Sequence, residues 1–317
     1  MTATPGSPIG VGPLHLGLDL GGTNIKWAVL ARDDHHWTTV GTGSAPTCAE
    51  EGEDAVVARL AETARAAMAA HGAVASVGVG VPGLYDPDQG TTEFLVNFPG
   101  GWRGVPIVTP LRTTLALPIT LINDARAFGL AELRLGAARG VDSMIGLTLG
   151  TGVGGVVAVH GRVLQGYKGR AGELGHQTID PDGPWCNCGN RGCVEAFCRA
   201  DQIALACGAA SVEDAVAAAR AGDRGAIQGL RDTGRYLGIG LANMIVAVNP
   251  ERVVLGGGVS AAGELILGPI RDEIERRVHV TAWSHIQVVV ASLGTSAGAI
   301  GAGIHGAEHA AGAAAEA

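Results

Sequence analysis

The sequence has no run of basic residues, since its 22 Lys and Arg are outnumbered by 30 Asp and Glu and the formal net charge is −8. This balance argues against a nucleic-acid partner. The sequence also lacks an apolar run of about 20 residues, the length that a membrane-spanning helix needs. Its first residues lack the basic and apolar segments of a signal peptide. We therefore expect a cytoplasmic protein with no nucleic-acid partner and no membrane partner.

Aromatic residues are scarce, at 4%, whereas glycine is abundant, with 51 residues in a chain of 317. Such a composition is typical of a tightly turned α/β protein, and the length suffices for two domains. Hydrophobic patterning predicts strands at 14–19, 25–30, 74–81, 119–122, 144–149, 156–159, 252–255 and 287–291. It predicts helices at 55–70, 125–135, 215–221, 225–248, 263–278 and 296–306. The alternation of the two indicates an α/β fold with mostly buried strands.

The domain organisation follows from these elements. We expect a flexible leader at 1–13, a small N-terminal α/β domain at 14–122 and a larger C-terminal α/β domain at 123–295. The last helix, at 296–306, is expected to pack back on the N-terminal domain. Residues 307–317 are of low complexity and are expected to form a disordered tail.

Nucleotide-binding motifs of two common kinds are absent. The chain contains no G-x-x-x-x-G-K-[ST] sequence, so it is not a P-loop protein. Residues 150–155 and 78–83 both match G-x-G-x-x-G. A dinucleotide site needs a helix directly after the glycines, but a strand is predicted after Gly155 and a loop after Gly83. These matches therefore do not indicate an oxidoreductase.

A cluster of cysteines is present instead. Cys186, Cys188 and Cys193 fall within eight residues, and His176 precedes them by ten. Three thiolates and one imidazole are the ligands of a structural, tetrahedral zinc site, and a reducing compartment favours metal over disulfides. Four protein ligands leave no open coordination position, so we expect structural Zn²⁺ rather than catalytic Zn²⁺. The zinc-binding loop is predicted at 176–193.

Two strand–turn–strand segments share a pattern. The first runs through Leu20-Gly21-Gly22-Thr23-Asn24, and the second through residues 150–155, G-T-G-V-G-G. Backbone N–H groups of such turns bind anions, and two of them can hold the phosphates of one nucleotide. Asp19, just before the first turn, is placed to meet Mg²⁺, directly or through water. The similar pattern predicts two related half-folds.

Several motifs together resemble the ROK family, which comprises repressors, open reading frames and sugar kinases. They are D-L-G-G-T-N-I-K at 19–26, N-D-A-R-A at 123–127, L-G-T-G-V-G-G at 149–155, E-L-G-H at 173–176, C-N-C-G-N-R-G-C-V-E at 186–195 and L-G-G-G-V at 255–259. The resemblance spans about residues 14–305. It implies an actin-like (RNase H-like), two-domain ATPase fold with an interdomain active-site cleft. It also implies transfer of a phosphoryl group from ATP to a sugar hydroxyl.

The resemblance implies roles by motif. Asp124 matches the catalytic base, and it also belongs to the implied sugar-binding set, which comprises Gly83, Asn97, Asn123, Asp124, Glu173, His176 and Glu195. The implied ATP and Mg²⁺ positions are Asp19, Gly21, Gly22, Thr23, Asn24, Lys26, Thr151, Gly152, Val153, Gly154, Gly256, Gly257 and Gly258. Because His176 belongs to both the metal set and the sugar set, the zinc is expected to fix the orientation of Glu173, His176 and Glu195.

Two departures from the family pattern bear on specificity. Arg126 stands where the family often has Asn, and we expect it to face solvent on a helix surface. Residues 94–102 form an unusual version of the sugar loop. Glucose is the expected substrate, and N-acetylmannosamine, N-acetylglucosamine and sugar-like cyclitols are the alternatives.

A sugar-sensing protein without catalysis is a further alternative, which the intact Asp124 and turns disfavour. Only 13 residues precede Leu14, and they lack basic side chains, so a DNA-binding repressor is not expected. The family implies a homodimer or homotetramer.

Overall fold

In the computed structural model of the protein, the described residues are 12–33, 36–95 and 98–315. The strands are Leu14–Leu20 (β1), Asn24–Arg32 (β2), Trp37–Pro46 (β3), Ser76–Val81 (β4), Leu84–Asp86 (β5), Thr91–Phe94 (β6), Ile119–Asn123 (β7), Met144–Leu149 (β8), Val153–Val159 (β9), Arg162–Val163 (β10), Arg252–Gly257 (β11) and Gln287–Val290 (β12). The α-helices are Glu53–His71 (α1), Val108–Leu115 (α2), Asp124–Arg134 (α3), Val194–Cys198 (α4), Ala200–Ala206 (α5), Val212–Arg220 (α6), Arg224–Val248 (α7), Glu264–Arg277 (α8) and Ala297–Ala315 (α9).

The chain divides into two compact units. Unit 1 contains the residues up to Ala131 together with those from Ser296 onward, and unit 2 is Glu132–Thr295. The chain therefore passes from one unit to the other inside α3, later than the expected boundary between residues 122 and 123. The reason lies in packing, because the backbone of Ala127 in α3 lies directly against Gly301 of α9, where a Cβ atom would collide with it.

Unit 1 is built on a five-stranded sheet of order β3-β2-β1-β4-β7. The β1–β2 and β2–β3 pairs are antiparallel, whereas β1–β4 and β4–β7 are parallel. Every residue of β4 is buried, as expected of a strand covered on both faces. Helix α9 lies on β1 and β4 so closely that a Cβ atom at Gly17 or Gly78 would meet its backbone. Small residues in both the strands and the helix permit this approach.

Unit 2 is built on a second five-stranded sheet, of order β10-β9-β8-β11-β12. The β8–β9 pair is antiparallel, and β8–β11 and β11–β12 are parallel. The long helix α7 packs against α8, and Gly234 and Gly238 let the two helices approach. The core of this unit combines the sheet with α4–α8, so it is larger than a single sheet-and-helix layer.

The C-terminal segment is helical rather than disordered over the described residues, since α9 continues to Ala315. Residues 307–315, A-E-H-A-A-G-A-A-A, lack the large apolar residues from which helical periodicity is usually read. Alanine has the highest helix propensity, and packing of the first half on the sheet anchors the rest. The expected leader falls almost wholly outside the described residues.

Helix α3 is buried on all sides from Ala125 to Leu133. Arg126 therefore has no solvent face, and its exposure is 1% rather than that of a surface side chain. The expectation of a solvated Arg126 is wrong. The signal was available in the sequence, because a helix that is apolar nearly all round is an internal helix.

None of the helices in the described part of the chain is both long enough and apolar enough to cross a membrane.

Candidate functional site

The first glycine turn joins β1 to β2 in unit 1. Gly21 N donates to Asn24 O at 3.0 Å, which closes the turn. Thr47, which lies after β3, stabilises this turn with two hydrogen bonds. Its hydroxyl donates to Gly21 O at 2.6 Å, and its backbone N–H donates to Thr23 O at 2.8 Å. The Thr23 side chain stays exposed. The turn is thus fixed by contacts on its own carbonyls, and sequence reasoning missed the contribution of Thr47.

Asp19 is the second-to-last residue of β1, and its side chain lies in a space that two glycines leave open. A Cβ atom at Gly298 of α9 would lie 2.5 Å from Asp19 Oδ2, and one at Gly80 of β4 would lie 3.5 Å from Oδ1. Burial raises the pKa of Asp19, and the charge of Lys26, its partner across the β1–β2 pair, lowers it in part. A carboxylate kept partly desolvated in this way is a natural ligand for a divalent cation.

Asn123 fixes the start of α3. Its Oδ1 accepts from the N–H groups of Ala125 at 3.0 Å and Arg126 at 3.2 Å, as a helix cap does. Its Nδ2 donates to Gly83 O at 3.1 Å. The amide therefore ties the first turn of α3 to the short segment between β4 and β5.

Asp124 is the first residue of α3, and its position follows from this cap. Its Oδ1 accepts from the N–H of Ala125 at 2.8 Å, and its side chain is partly buried. Negative charge is favoured at a helix N-terminus. The structure thus presents Asp124 as a carboxylate held by the helix start.

Gly83 is required by the local backbone. Its φ of 99° is unfavourable for other residues, and a Cβ atom there would collide with Phe94 O. Asn97, the other sugar-loop residue predicted from sequence, lies outside the described residues. Tyr85, two residues after Gly83, is buried, which raises the pKa of its phenol, while the charge of Arg126 lowers it. This places a buried cation near the segment that follows Gly83.

The second glycine turn joins β8 to β9 in unit 2. Gly150 N donates to Gly152 O at 2.9 Å, and Ala200 N at the start of α5 donates to Gly150 O at 2.8 Å. Glu195 Oε2 accepts from Val153 N at 2.9 Å. A strand follows this turn, as predicted, so the G-x-G-x-x-G match at 150–155 is not a dinucleotide site.

The predicted zinc ligands lie together. A ring nitrogen of His176 and the Sγ atoms of Cys186, Cys188 and Cys193 all lie within 4.8 Å of one another. The Cys186 Sγ–His176 Nδ1 distance is 3.6 Å and the Cys188 Sγ–Cys193 Sγ distance is 3.8 Å. Zn–S bonds of about 2.3 Å place two sulfur ligands of a tetrahedral site about 3.8 Å apart. The four side chains therefore fit a tetrahedral metal ion.

The raised pKa values of two cysteine thiols also support a metal ion at this cluster. Burial, aided by the charge of Glu195, raises the pKa of Cys186 to about 12, and burial raises that of Cys193 as well. Thiolates in such surroundings need a compensating cation, which a bound divalent metal supplies. Gly192, with φ of 65°, allows the loop to pass against Asp180 O, where any Cβ atom would collide. The loop geometry thus depends on glycine as the sequence indicated.

Glu195 connects the cysteine cluster to the second turn. While its Oε2 accepts from Val153 N, its Oε1 lies 3.5 Å from Cys186 Sγ and 4.0 Å from His176 Nδ1. Its side chain is only 12% exposed and both oxygens have partners within unit 2, while each oxygen keeps a further lone pair with which it can accept a hydrogen bond. Sequence reasoning placed Glu195 beside the metal ligands but missed its bond to the turn.

The segment that carries Glu173 and His176 packs on the same turn. Gly175, between them, is buried so tightly that a Cβ atom would collide with Val153 O. Glu173 is exposed and His176 is partly buried. Unit 2 therefore brings together Glu173, His176, Glu195, the cysteines and the 150–155 turn.

Gly256–Gly258 lie at the end of β11, beside the same turn. Gly257 pairs with Leu149 in the β11–β8 ladder and has φ of 94°, and a Cβ atom there would meet the Leu149 carbonyl. Glycine is therefore needed for the close approach of the two strand ends. The backbone of Gly257 and Gly258 remains exposed.

The family profile of the ROK family matches residues 15–305. The chain belongs to the ROK family. It is 38% identical to a glucokinase of Thermotoga maritima over 307 residues, which covers 90% of this chain and 95% of that protein.

Solved structures of ROK proteins resemble the chain over most of its length. A ROK hexokinase from Thermus thermophilus is 35% identical with a TM-score of 0.80, covering 94% of this chain and 99% of that one. A ROK family glucokinase from Streptomyces griseus, in complex with glucose and AMPPNP, is 31% identical with a TM-score of 0.77, covering 93% and 99%. The two sheets described above are thus those of the actin-like ATPase fold of ROK sugar kinases.

Proposed function

We propose that the protein is an ATP-dependent sugar kinase that converts glucose to glucose 6-phosphate. The observation that carries the proposal is the likeness to a glucokinase over about nine-tenths of both chains. The T. maritima and S. griseus relatives are both named as glucokinases. The chemistry of the residues in each unit supports the same activity.

Unit 1 supplies the base and the metal-binding carboxylate. Asp124, held at the start of α3, takes the proton from the attacking sugar hydroxyl, as a positioned carboxylate does in phosphoryl transfer. Asn123 orients it and Gly83 shapes the adjacent sugar loop. Asp19 is the carboxylate that would hold Mg²⁺, and the bound ion would supply positive charge for the phosphates of ATP. The turn residues Gly21, Gly22, Thr23 and Asn24, with Lys26 on β2, contribute donors and positive charge for phosphates.

Unit 2 supplies sugar contacts and a second phosphate turn. Glu173, His176 and Glu195 are proposed to bind sugar hydroxyls, since carboxylates and imidazole exchange directional hydrogen bonds with them. Thr151–Gly154 cradle phosphate through backbone N–H groups. Gly256–Gly258 leave open backbone for the nucleoside. Asn97, which lies outside the described residues, is proposed as a further sugar contact.

The metal proposed for the cysteine cluster is a structural Zn²⁺. Its four ligands, His176, Cys186, Cys188 and Cys193, close the coordination shell. A metal bound there would hold the E-L-G-H segment and Glu195 in one geometry, and through Glu195 the 150–155 turn. Its contribution to catalysis is therefore positional. The homo-oligomeric state and the cytoplasmic location stay predictions.

A sugar panel tests the proposal. Purified protein with ATP and Mg²⁺ is assayed for ADP release on glucose, mannose, N-acetylmannosamine, N-acetylglucosamine and a cyclitol. We expect glucose to give the highest kcat/KM. A higher kcat/KM for an N-acetylated sugar or the cyclitol would move the substrate to that class and retain the kinase. ATP consumption that no sugar stimulates would contradict the kinase.

A further inference from the structure

The first glycine turn is held through its carbonyl groups. Gly21 O accepts from the Thr47 hydroxyl at 2.6 Å, and Thr23 O accepts from the Thr47 N–H at 2.8 Å. In contrast, no acceptor among the described residues takes the N–H of Gly22. The turn therefore combines carbonyls that have partners with a backbone donor that has none within the described part of the chain.

The geometry of the peptide bond links these two observations. A trans peptide is planar, so the carbonyl of one residue and the N–H of the next residue point in opposite directions. None of the described peptide bonds is cis. Because the Gly21 carbonyl points toward the Thr47 hydroxyl, the N–H of Gly22 points away from Thr47. The Thr47 hydroxyl thus sets the direction of a donor that it does not touch.

Thr47 is itself fixed by helix α1. It is fully buried, and its carbonyl accepts from Arg59 Nη1 of α1 at 2.6 Å. Arg59 Nη2 also lies 2.6 Å from Glu51 Oε2, but the Glu51 side chain is 50% exposed, and exposed ion pairs contribute little. The bond to the Thr47 carbonyl is therefore the contact through which Arg59 acts on the turn. All three hydrogen-bonding groups of Thr47 are used, two on the turn and one on α1.

The backbone next to Thr47 also needs support. Cys48 has a φ of 50°, in the left-handed region that is unfavourable for residues other than glycine. Such a conformation persists only where the surrounding structure holds it. The bond from Arg59 to the carbonyl of Thr47 is made to the peptide group that joins Thr47 to Cys48. Arg59 therefore holds the chain at the point where it leaves the turn.

We propose that Thr47 is a positioning residue for phosphate binding and that Arg59 holds Thr47 in place. Phosphate oxygens accept hydrogen bonds from backbone N–H groups, whereas the partial negative charge of a carbonyl oxygen repels them. By binding two carbonyls of the turn, Thr47 directs them away from the phosphate and leaves the Gly22 N–H to face it. The inference rests on the proposed function, which places phosphates of ATP on residues 21–24.

Calorimetric Kd values for ATP with Mg²⁺, measured on the whole protein, test the role of Thr47. Thr47→Val removes the hydroxyl and keeps the shape of the side chain, whereas Thr47→Ser keeps the hydroxyl. A hydrogen bond to a charged group corresponds to about a tenfold change in Kd or more. We expect Thr47→Val to bind ATP about tenfold more weakly than wild type, and Thr47→Ser to bind it within about threefold of wild type.

Arg59→Met tests the support from α1 and leaves the hydroxyl of Thr47 in place. We expect the Kd for ATP to rise by about threefold or more, because one hydrogen bond that fixes Thr47 is lost. Arg65→Met is the matched control, since Arg65 lies on the same helix and donates to a different backbone carbonyl, Thr114 O, at 3.1 Å. Arg65→Met should bind ATP as wild type does. An unchanged Kd in Arg59→Met would overturn the role of Arg59.

Melting temperatures of the same variants separate positioning from stability. A lower melting temperature of Thr47→Val with an unchanged Kd for ATP would show a structural role only and overturn the proposal. A loss of ATP affinity that Thr47→Ser shares would also overturn it, because the hydroxyl would then not be the group that matters. If Thr47→Val does not fold, the comparison of Arg59→Met with Arg65→Met decides whether this contact positions the turn.

Sugar turnover on the same preparations tests the proposed function separately. ATP binding that weakens in Thr47→Val, without turnover of any sugar by wild type, would keep the role of Thr47 and contradict the kinase. Sugar turnover by wild type with an unchanged KM for ATP in Thr47→Val would keep the kinase and contradict the role of Thr47. Absence of ATP binding by wild type would contradict both.

Discussion

The two units share one sheet topology but differ in what they place at the strand ends. In each, an antiparallel hairpin with a glycine turn is followed by two parallel strands, giving orders β3-β2-β1-β4-β7 and β10-β9-β8-β11-β12. The registers correspond as well, since Asp19 pairs with Gly80 and Thr148 with Gly256. A carboxylate in unit 1 thus stands where unit 2 has a hydroxyl. The shared topology supplies two glycine turns, and the proposed function gives them different tasks through single side chains.

The segments after the third parallel strand also differ. In unit 1, Asn123 caps α3 with its own amide. In unit 2, the corresponding N–H groups of Ser292 and Leu293 donate to the carboxylate of Glu132, at 3.0 Å each. Glu132 is fully buried, and its satisfied hydrogen bonds make that burial tolerable. In unit 1 the strand end thus precedes Asp124, the proposed base, whereas in unit 2 the equivalent end is closed by the buried carboxylate of Glu132.

The largest expected effect concerns the buried Arg126 of α3. Its side chain is 1% exposed and its charge acts on the buried Tyr85, and removing one member of a buried charged arrangement destabilises a protein by about 3–5 kcal/mol. We expect Arg126→Met to lower the free energy of unfolding by about that amount in urea titrations. Arg112→Met on the exposed side of α2 is the control and should change stability by less than about 0.5 kcal/mol. An Arg126→Met protein as stable as the control would show that the guanidinium has no structural role.

The Asp19–Thr148 contrast is tested by matched substitutions. Asp19→Asn should reduce kcat by about 100-fold or more, because the proposed Mg²⁺ ligand is lost. Thr148→Val, at the equivalent register in unit 2, should keep kcat within about threefold. Equal losses in both variants would contradict the division of tasks between the two turns.

Asp19 also predicts a pH effect. Burial raises its pKa above the unfolded value of 3.8, so the native state holds the proton more tightly than the unfolded state. Stability from this group is therefore gained as pH falls through the folded pKa, and at pH 7 the buried charge destabilises. Asp19→Asn should melt at or above the wild-type temperature at pH 7, with the difference shrinking toward pH 4. A lower melting temperature at pH 7 would show that the carboxylate is stabilising.

A smaller effect on activity is expected from substitutions in the cysteine cluster of unit 2. The described residues of unit 1 contain no corresponding cluster of three cysteines and a histidine. Cys188 is exposed, so Cys188→Ser removes a ligand without opening the core. Loss of an orienting group near a binding site changes affinity or activity by about 10–100-fold, and we expect the KM for glucose to rise by about tenfold. Zinc content, measured by atomic emission, should fall from about one equivalent toward zero. The control is Cys207→Ser, which replaces a buried thiol outside the cluster and should leave the zinc content and the KM for glucose unchanged. A wild-type protein that lacks zinc but has a normal KM for glucose would contradict the positional role of the metal.

Much of this could be predicted from sequence, for identifiable reasons. The glycine turns, the cysteine spacing and Asp124 are local signals, and local signals are what a single sequence carries. Strand β3 was missed because its T-T-V-G-T-G-S-A pattern is mostly polar and partly exposed, and its strand character comes from pairing with β2. The bond from Glu195 to Val153 N joins residues 42 positions apart, and no local pattern encodes it. Burial of Arg126 similarly depends on how α3 is packed.

The central claim is that Asp124 acts on the reacting hydroxyl, whereas unit 2 supplies binding and positioning. Steady-state kinetics of Asp124→Asn with ATP and glucose test it most directly, since the amide keeps the shape but cannot take a proton. We predict that kcat falls by about 1,000-fold or more while the KM for glucose changes by less than about tenfold and the melting temperature is nearly unchanged. Wild-type kcat in this variant, or loss of glucose binding in proportion to kcat, would contradict the account.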